Sequence, residues 1–207
     1  MHRLLVATFY ALALCGCVSP EQIEKQQGAI LLSLTPEHFR DTAAVKDDPL
    51  DTEAEISTRN GFVEKRGLLG ITPDDNFLRI YVDKKTGKAT FQVYQFISYI
   101  SDHWHFYNSV NYQTPSGPAA GSLISISRDV SNCDVNTGCF YSEDIAFDVD
   151  EGLLRAIAKT YSPGAINPWL FKFGSKSGVE WKDGLTVAEI SGALMAVDAY
   201  KAAHQLR

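Results

Sequence analysis

Between Phe77 and Val149 the chain places apolar side chains at every second position, and this period-two pattern constrains the fold more than any other feature. Leu78, Ile80 and Val82 alternate with Phe77, Arg79 and Tyr81, and Asp83-Lys84-Lys85-Thr86-Gly87-Lys88 reads as a hairpin connection. The return strand, Ala89 to Tyr99, is apolar on both faces. Phe91, Val93 and Ile97 lie on one and Tyr94 and Phe96 on the other, which predicts a central strand covered on both sides. His103 to Tyr112 reads as a further strand, ended by Thr114-Pro115-Ser116-Gly117-Pro118. Ser122 to Val130 opposes Ile124 and Ile126 to Ser125 and Ser127. Ile145, Phe147 and Val149 alternate with Asp144, Ala146 and Asp148, so both stretches predict half-buried strands.

After Asp150-Glu151 the period changes: Leu153, Leu154, Ile157 and Ala158 fit a short helix that stops near Ser162-Pro163-Gly164. Trp169, Phe171 and Phe173 return to strand spacing. The chain closes with its clearest helix, in which Thr186 and Glu189 have capping-box spacing and Val187, Ile190, Leu194 and Val197 form one apolar stripe. That stripe is read as core-packing, not as a membrane-surface face. Strands followed by helix, strand and helix predict an α+β domain: an antiparallel β-sheet or sandwich-like body with a C-terminal amphipathic helix and one shorter helix. Upstream, Glu37 to Lys65 is charge-rich and lacks a sustained period, so it reads as irregular with a short strand at Glu53 to Thr58. The chain has 207 residues, enough for one ordinary core. Its 45% hydrophobic and 21% charged content argues against disorder.

The N-terminus carries a different message. Met1 to Arg3 is a short positive start, and Leu4 to Leu14 is an uncharged apolar run that suits a signal peptide and is too short to span a bilayer. Leu14-Cys15-Gly16-Cys17 follows, and it resembles the lipobox of bacterial lipoprotein precursors. Cys17 fits better than Cys15, because Cys15 would put bulky Leu14 immediately before the cleavage point where the family pattern has a small residue. The resemblance covers only about the first twenty residues. It implies lipid transfer to the Cys17 thiol, cleavage before it, and acylation of the new N-terminus, which together give stable membrane anchoring. Ser19, two residues on, is not the Asp that the family associates with inner-membrane retention, so the expected location is the outer membrane facing the periplasm. The expected organisation is a leader over 1–16, a lipidated tether over 17–35 and a single domain over 36–207.

Export places Cys133 and Cys139 where disulfides form. They bracket Asp134-Val135-Asn136-Thr137-Gly138, a turn-rich stretch, so a bridge would clip a hairpin and contribute on the order of 2 kcal/mol through chain entropy. A C-x₅-C pair without a second pair or a nearby His lacks the ligands of a structural zinc site.

Candidate chemistry is sparse. Asp102-His103-Trp104-His105, placed on a strand, would point His103 and His105 to one face, where they could share a divalent metal with a third ligand from elsewhere. Phe173-Gly174-Ser175-Lys176-Ser177-Gly178 superficially offers amides and a lysine to an anion. It lacks phosphate-loop spacing and reads as a β-turn. Asp148, Asp150 and Glu151 complete no calcium loop and suit a strand end followed by a helix start. No nucleophile elbow, S-x-x-K, H-E-x-x-H or C-x-x-C occurs. The net charge of −6, about −7 without Arg3, and the lack of a basic cluster argue against nucleic acid as partner. The leading expectation is a non-enzymatic envelope lipoprotein that needs no cofactor, attached to the membrane by its lipid and binding an envelope protein or cell-wall partner. The alternatives are a periplasmic metal-dependent enzyme or hydrolase using His103 and His105, and an inhibitor or immunity protein protecting the envelope.

Overall fold

Strand alternation, helix caps and close helix contacts account for the architecture in turn. The computed structural model describes residues 20–63, 65–66, 72–73, 75–134, 136, 138–165 and 167–206. The leader, Cys15 and Cys17 lie outside the described residues. The chain opens with helices α1 (Pro20–Ser33) and α2 (Pro36–Thr42) and strands β1 (Ala44–Lys46), β2 (Glu53–Ser57), β3 (Lys65–Arg66) and β4 (Thr72–Pro73). Long strands follow: β5 (Asp75–Asp83), β6 (Ala89–Ser101), β7 (Tyr107–Thr114), β8 (Gly117–Gly121), β9 (Leu123–Asp134) and β10 (Gly138–Val149). The C-terminal part holds α3 (Glu151–Ala158), β11 (Trp169–Ser175), β12 (Glu180–Leu185) and α4 (Val187–Ala203).

Two antiparallel sheets result, one ordered β1-β2-β5-β6-β10-β9 and one ordered β12-β11-β7-β8, with β3 and β4 as a separate small pair. β6 is central, as its two apolar faces predict, and pairs with β10 from Phe91↔Val149 to Ser101↔Cys139. Its other edge pairs with β5 across the expected turn, where Asp83 accepts from the Lys85 and Thr86 amides and Gly87 takes a positive φ of 74°. Phe147 projects from the first sheet into the aromatic row of the second, 5.5 Å from Phe171 and 5.8 Å from Phe173 by ring centroids. One core therefore runs through both sheets and on to α4.

The helices take their positions from caps and small residues. Asp150 caps α3 by accepting from the Leu153 amide at 2.9 Å. Thr35 caps α2, with Pro36 in the first turn. Gly192 lets α2 lie directly on α4, since a Cβ there would sit 2.5 Å from both Phe39 Cβ and the Pro36 carbonyl oxygen. α4 is consequently covered well beyond the stripe read from its sequence, with Ala188, Glu189, Ala193, Ala196 and Tyr200 buried as well. Leu194 is 4% exposed, so Leu194→Ala is expected to cost about 3 kcal/mol, read as a lower midpoint in urea with an unchanged slope.

Two local readings change. Helix α1 lies within the 17–35 stretch, where Gln26 to Leu34 suits the opening of a first element, whereas the charge-rich stretch assigned as irregular contains α2. Residues 103–106 are not strand: β7 starts only at Tyr107. None of the helices among the described residues is long and apolar enough to cross a membrane.

Candidate functional site

The chain leaves the first sheet at Ser101 and enters the second at Tyr107, so residues 102–106 form the crossover between them. One buried side chain holds it. Counting back by twos from Val149, Phe147 and Ile145 puts Glu143 on the inner face of β10, where it is 0% exposed. Its Oε1 accepts from the Tyr99 hydroxyl at 2.7 Å and the Phe106 amide at 3.0 Å. Oε2 accepts from the Tyr107 amide at 3.2 Å and Arg128 Nε at 2.9 Å. A carboxylate away from water is stable only with this kind of saturation, and here the donors come from the end of the crossover, the start of β7 and the flanking β6 and β9. Arg128 reaches inward from β9, the exposed edge of the larger sheet. An inward charge and register breaks on either side of it are features that keep such an edge from pairing with other chains.

Two further segments close on the crossover. In the Ser175–Gly178 turn the Lys176 amide donates to the Phe106 carbonyl at 3.1 Å and the Ser177 amide to the His105 carbonyl at 3.3 Å. The amides that an anion would need are thus engaged, and the segment is the β-turn its sequence predicts, with Gly178 at φ +83°. From the other side comes the β9–β10 hairpin, bridged by the Cys133–Cys139 disulfide. Gly138 in this hairpin has φ +88°, and a Cβ there would lie 2.2 Å from the Ser101 carbonyl oxygen, so the hairpin packs against the end of β6 only because that residue is glycine.

His103 and His105 occupy the crossover loop, with ring centroids 6.1 Å apart. The His103 imidazole is largely exposed and bonds the Asp102 carboxylate, which that contact holds below the usual carboxylate range. His105 stacks flat on Tyr99 at 3.9 Å, and its amide donates to the Tyr99 hydroxyl at 2.9 Å. Burial lowers the His105 imidazole below its ordinary range, against a smaller opposing pull from Glu143, and burial raises the Tyr99 phenol. Among the described residues no cluster of three or more His, Cys, Asp or Glu side chains is placed to hold a metal. The other acidic candidates are spent separately: Asp148 accepts from Gln92, Asp150 caps α3, and Glu151 pairs with Arg155 at 2.7 Å.

The crossover presents apolar side chains to solvent. Ile100 is 68% exposed and Phe106 is 40% exposed, and Trp104 lies edge-on to Tyr141 at 4.6 Å. Phe106 adopts φ +55°, a left-handed conformation that is a genuine outlier for a bulky side chain. Its ring faces the Arg128 guanidinium at 5.2 Å and the Lys176 ammonium at 6.0 Å. Sequence reading missed Glu143 and Phe106. The phase of the β10 alternation was the available signal for Glu143; a left-handed Phe leaves none.

No protein-family model, curated protein or solved structure matches this chain.

Proposed function

We propose that this chain is a non-enzymatic, lipid-anchored envelope protein that binds a protein partner through the crossover face formed by Ile100, Trp104 and Phe106. The observation that carries the reading is Phe106, a half-exposed aromatic ring kept in a costly backbone conformation and flanked by two cations. Strain of this kind costs about 1–3 kcal/mol and clusters where a side chain must be presented. Aromatic residues with neighbouring arginine also dominate the energetics of protein interfaces. The groups suited to acid–base chemistry are occupied: four donors fill Glu143, and His105 lies flat against Tyr99. The lipobox resemblance supplies the anchor at Cys17 and the expected periplasmic face of the outer membrane.

Phe106→Gly separates presentation from folding, because glycine relieves the positive φ. The variant is expected to melt no earlier than the natural protein yet to lose at least tenfold in the recovery of a stoichiometric protein partner after cross-linking in cells. Equal recovery of the same partner would refute the crossover face as the binding surface. A recovered muropeptide in place of a protein would move the reading to a cell-wall ligand. In the same cells Cys17→Ser should lack lipid label and remain an uncleaved precursor, whereas Cys15→Ser should be lipidated normally.

A further inference from the structure

Far from the crossover, at the other end of β7 and β11, the outer face of the smaller sheet carries a cleft of ≈ 480 Å³. This is within the range of roughly 300–1,000 Å³ typical of small-molecule sites. The solvent side of an antiparallel sheet is ordinarily polar, yet here Leu170, 46% exposed, lines the cleft together with Pro118, Pro168 and Leu31 of α1. Leu170 faces Gly184 across the strand pair and leans over it, its Cδ2 lying 3.0 Å from where a Cβ would stand. A Cβ at Gly184 would also lie 2.8 Å from the Trp169 carbonyl oxygen, so only glycine lets Leu170 and Pro168 settle together as the apolar floor of the cleft.

Two residue pairs further along, on the same face, Lys172 sits directly opposite Lys182. Like charges in that position repel and are destabilising. Glu180 neutralises Lys172 at 2.6 Å, while Lys182 is exposed and makes no ion pair or hydrogen bond among the described residues. Asp183, the acid bordering the cleft, accepts from the Gly184 amide at 2.8 Å. The cleft thus joins an apolar trough to two opposed lysines that share one carboxylate, Glu180. We infer that it binds a single-chain amphiphile with an anionic headgroup, the chain lying along Leu170, Pro118, Pro168 and Leu31 and the headgroup meeting Lys182.

The test is titration of the chain from residue 18, which contains every described element, with dodecanoate, lysophosphatidylglycerol and dodecanol below their micelle concentrations, followed by calorimetry. Saturable binding of an anionic probe at one site is expected. Lys182→Glu should weaken it at least tenfold while leaving dodecanol within twofold, and Leu170→Glu should weaken all three probes. Both positions are exposed, and unchanged melting temperatures would show the fold intact. Tighter lysophosphatidylglycerol would assign a membrane lipid as the source, tighter dodecanoate a free fatty acid, and either supports the site. Absence of saturable binding, or dodecanoate affinity insensitive to Lys182→Glu, overturns it.

Discussion

Above pH 8 the Glu189→Gln variant is expected to be more stable than the natural protein, by as much as about 5 kcal/mol, with the difference vanishing towards pH 4. Glu189 is the third residue of α4, and its amide donates to the Thr186 hydroxyl at 3.1 Å, as capping-box spacing predicts. Its carboxyl does not turn back to complete the box. It goes into the core, where it accepts from the Thr58 hydroxyl, itself the acceptor for the Leu78 amide. Burial pushes its pKa up from 4.5 to about 8, and the negative charges of Asp75 and Asp183 push the same way. A carboxyl whose pKa is higher folded than unfolded contributes stability while both states hold the proton, and loses it as pH rises through the folded value. The loss therefore falls between about pH 4.5 and pH 8. Gln keeps the acceptor for Thr58 without the ionisation. His105 runs the opposite way, since burial lowers its pKa and its neutral form is favoured as pH rises. Because it is common to both proteins, the difference between their urea midpoints from pH 5 to pH 9 isolates Glu189. Parallel curves across that range would mean that the carboxyl is charged at little cost where it stands.

The same residue marks how far local pattern reaches. Thr186 and Glu189 announce where α4 starts, because a cap depends on residues a few positions apart. The destination of the carboxyl depends on Thr58, far away in sequence, and nothing near Glu189 encodes it. The strands were legible for a similar reason: alternation in Phe77–Val82, Ile145–Val149 and Trp169–Phe173 is a local record of which face meets the core. Pairing order was not, since β6 finds β10 across three intervening strands, two of them the β7–β8 hairpin of the second sheet. α2 was overlooked although Thr35-Pro36-Glu37 has the composition of a helix start, because one short turn gives no measurable period. The cysteine pair was readable from the expected export and the turn residues it brackets, and the Ser175–Gly178 turn from its own composition. His103 and His105 were placed on a strand because alternation continues through them, whereas the backbone there answers to Glu143 and to the Ser175–Gly178 turn.

That dependence makes Glu143→Ala one of the most disruptive single changes expected at the crossover. Removing the carboxylate strands the Tyr99 hydroxyl, the Phe106 and Tyr107 amides and Arg128 Nε at once, in a position closed to water. Breaking a buried pair by deleting one partner costs about 3–5 kcal/mol, mostly through the groups left without acceptors. Glu143→Gln keeps an oxygen for one pair of donors but turns an amide group towards the other pair, so it should cost less than alanine. Arg128→Met leaves three of the four donors in place but strips a fully buried carboxylate of its cation, so it should cost about as much as Glu143→Ala. Glutamine as the mildest of the three is specific to a buried carboxylate held by Arg128 and by the crossover. The local readout is amide hydrogen exchange at Phe106 and Tyr107, which should lose protection in Glu143→Ala under conditions where β5 and β6 keep theirs. With the amide of Phe106 released, only the Lys176 amide on its carbonyl still fixes the residue, and partner recovery should fall towards that of Phe106→Gly, now with a loss of stability as well. Retained protection at both amides in a folded Glu143→Ala protein would show that the Ser175–Gly178 turn holds the crossover without the carboxylate.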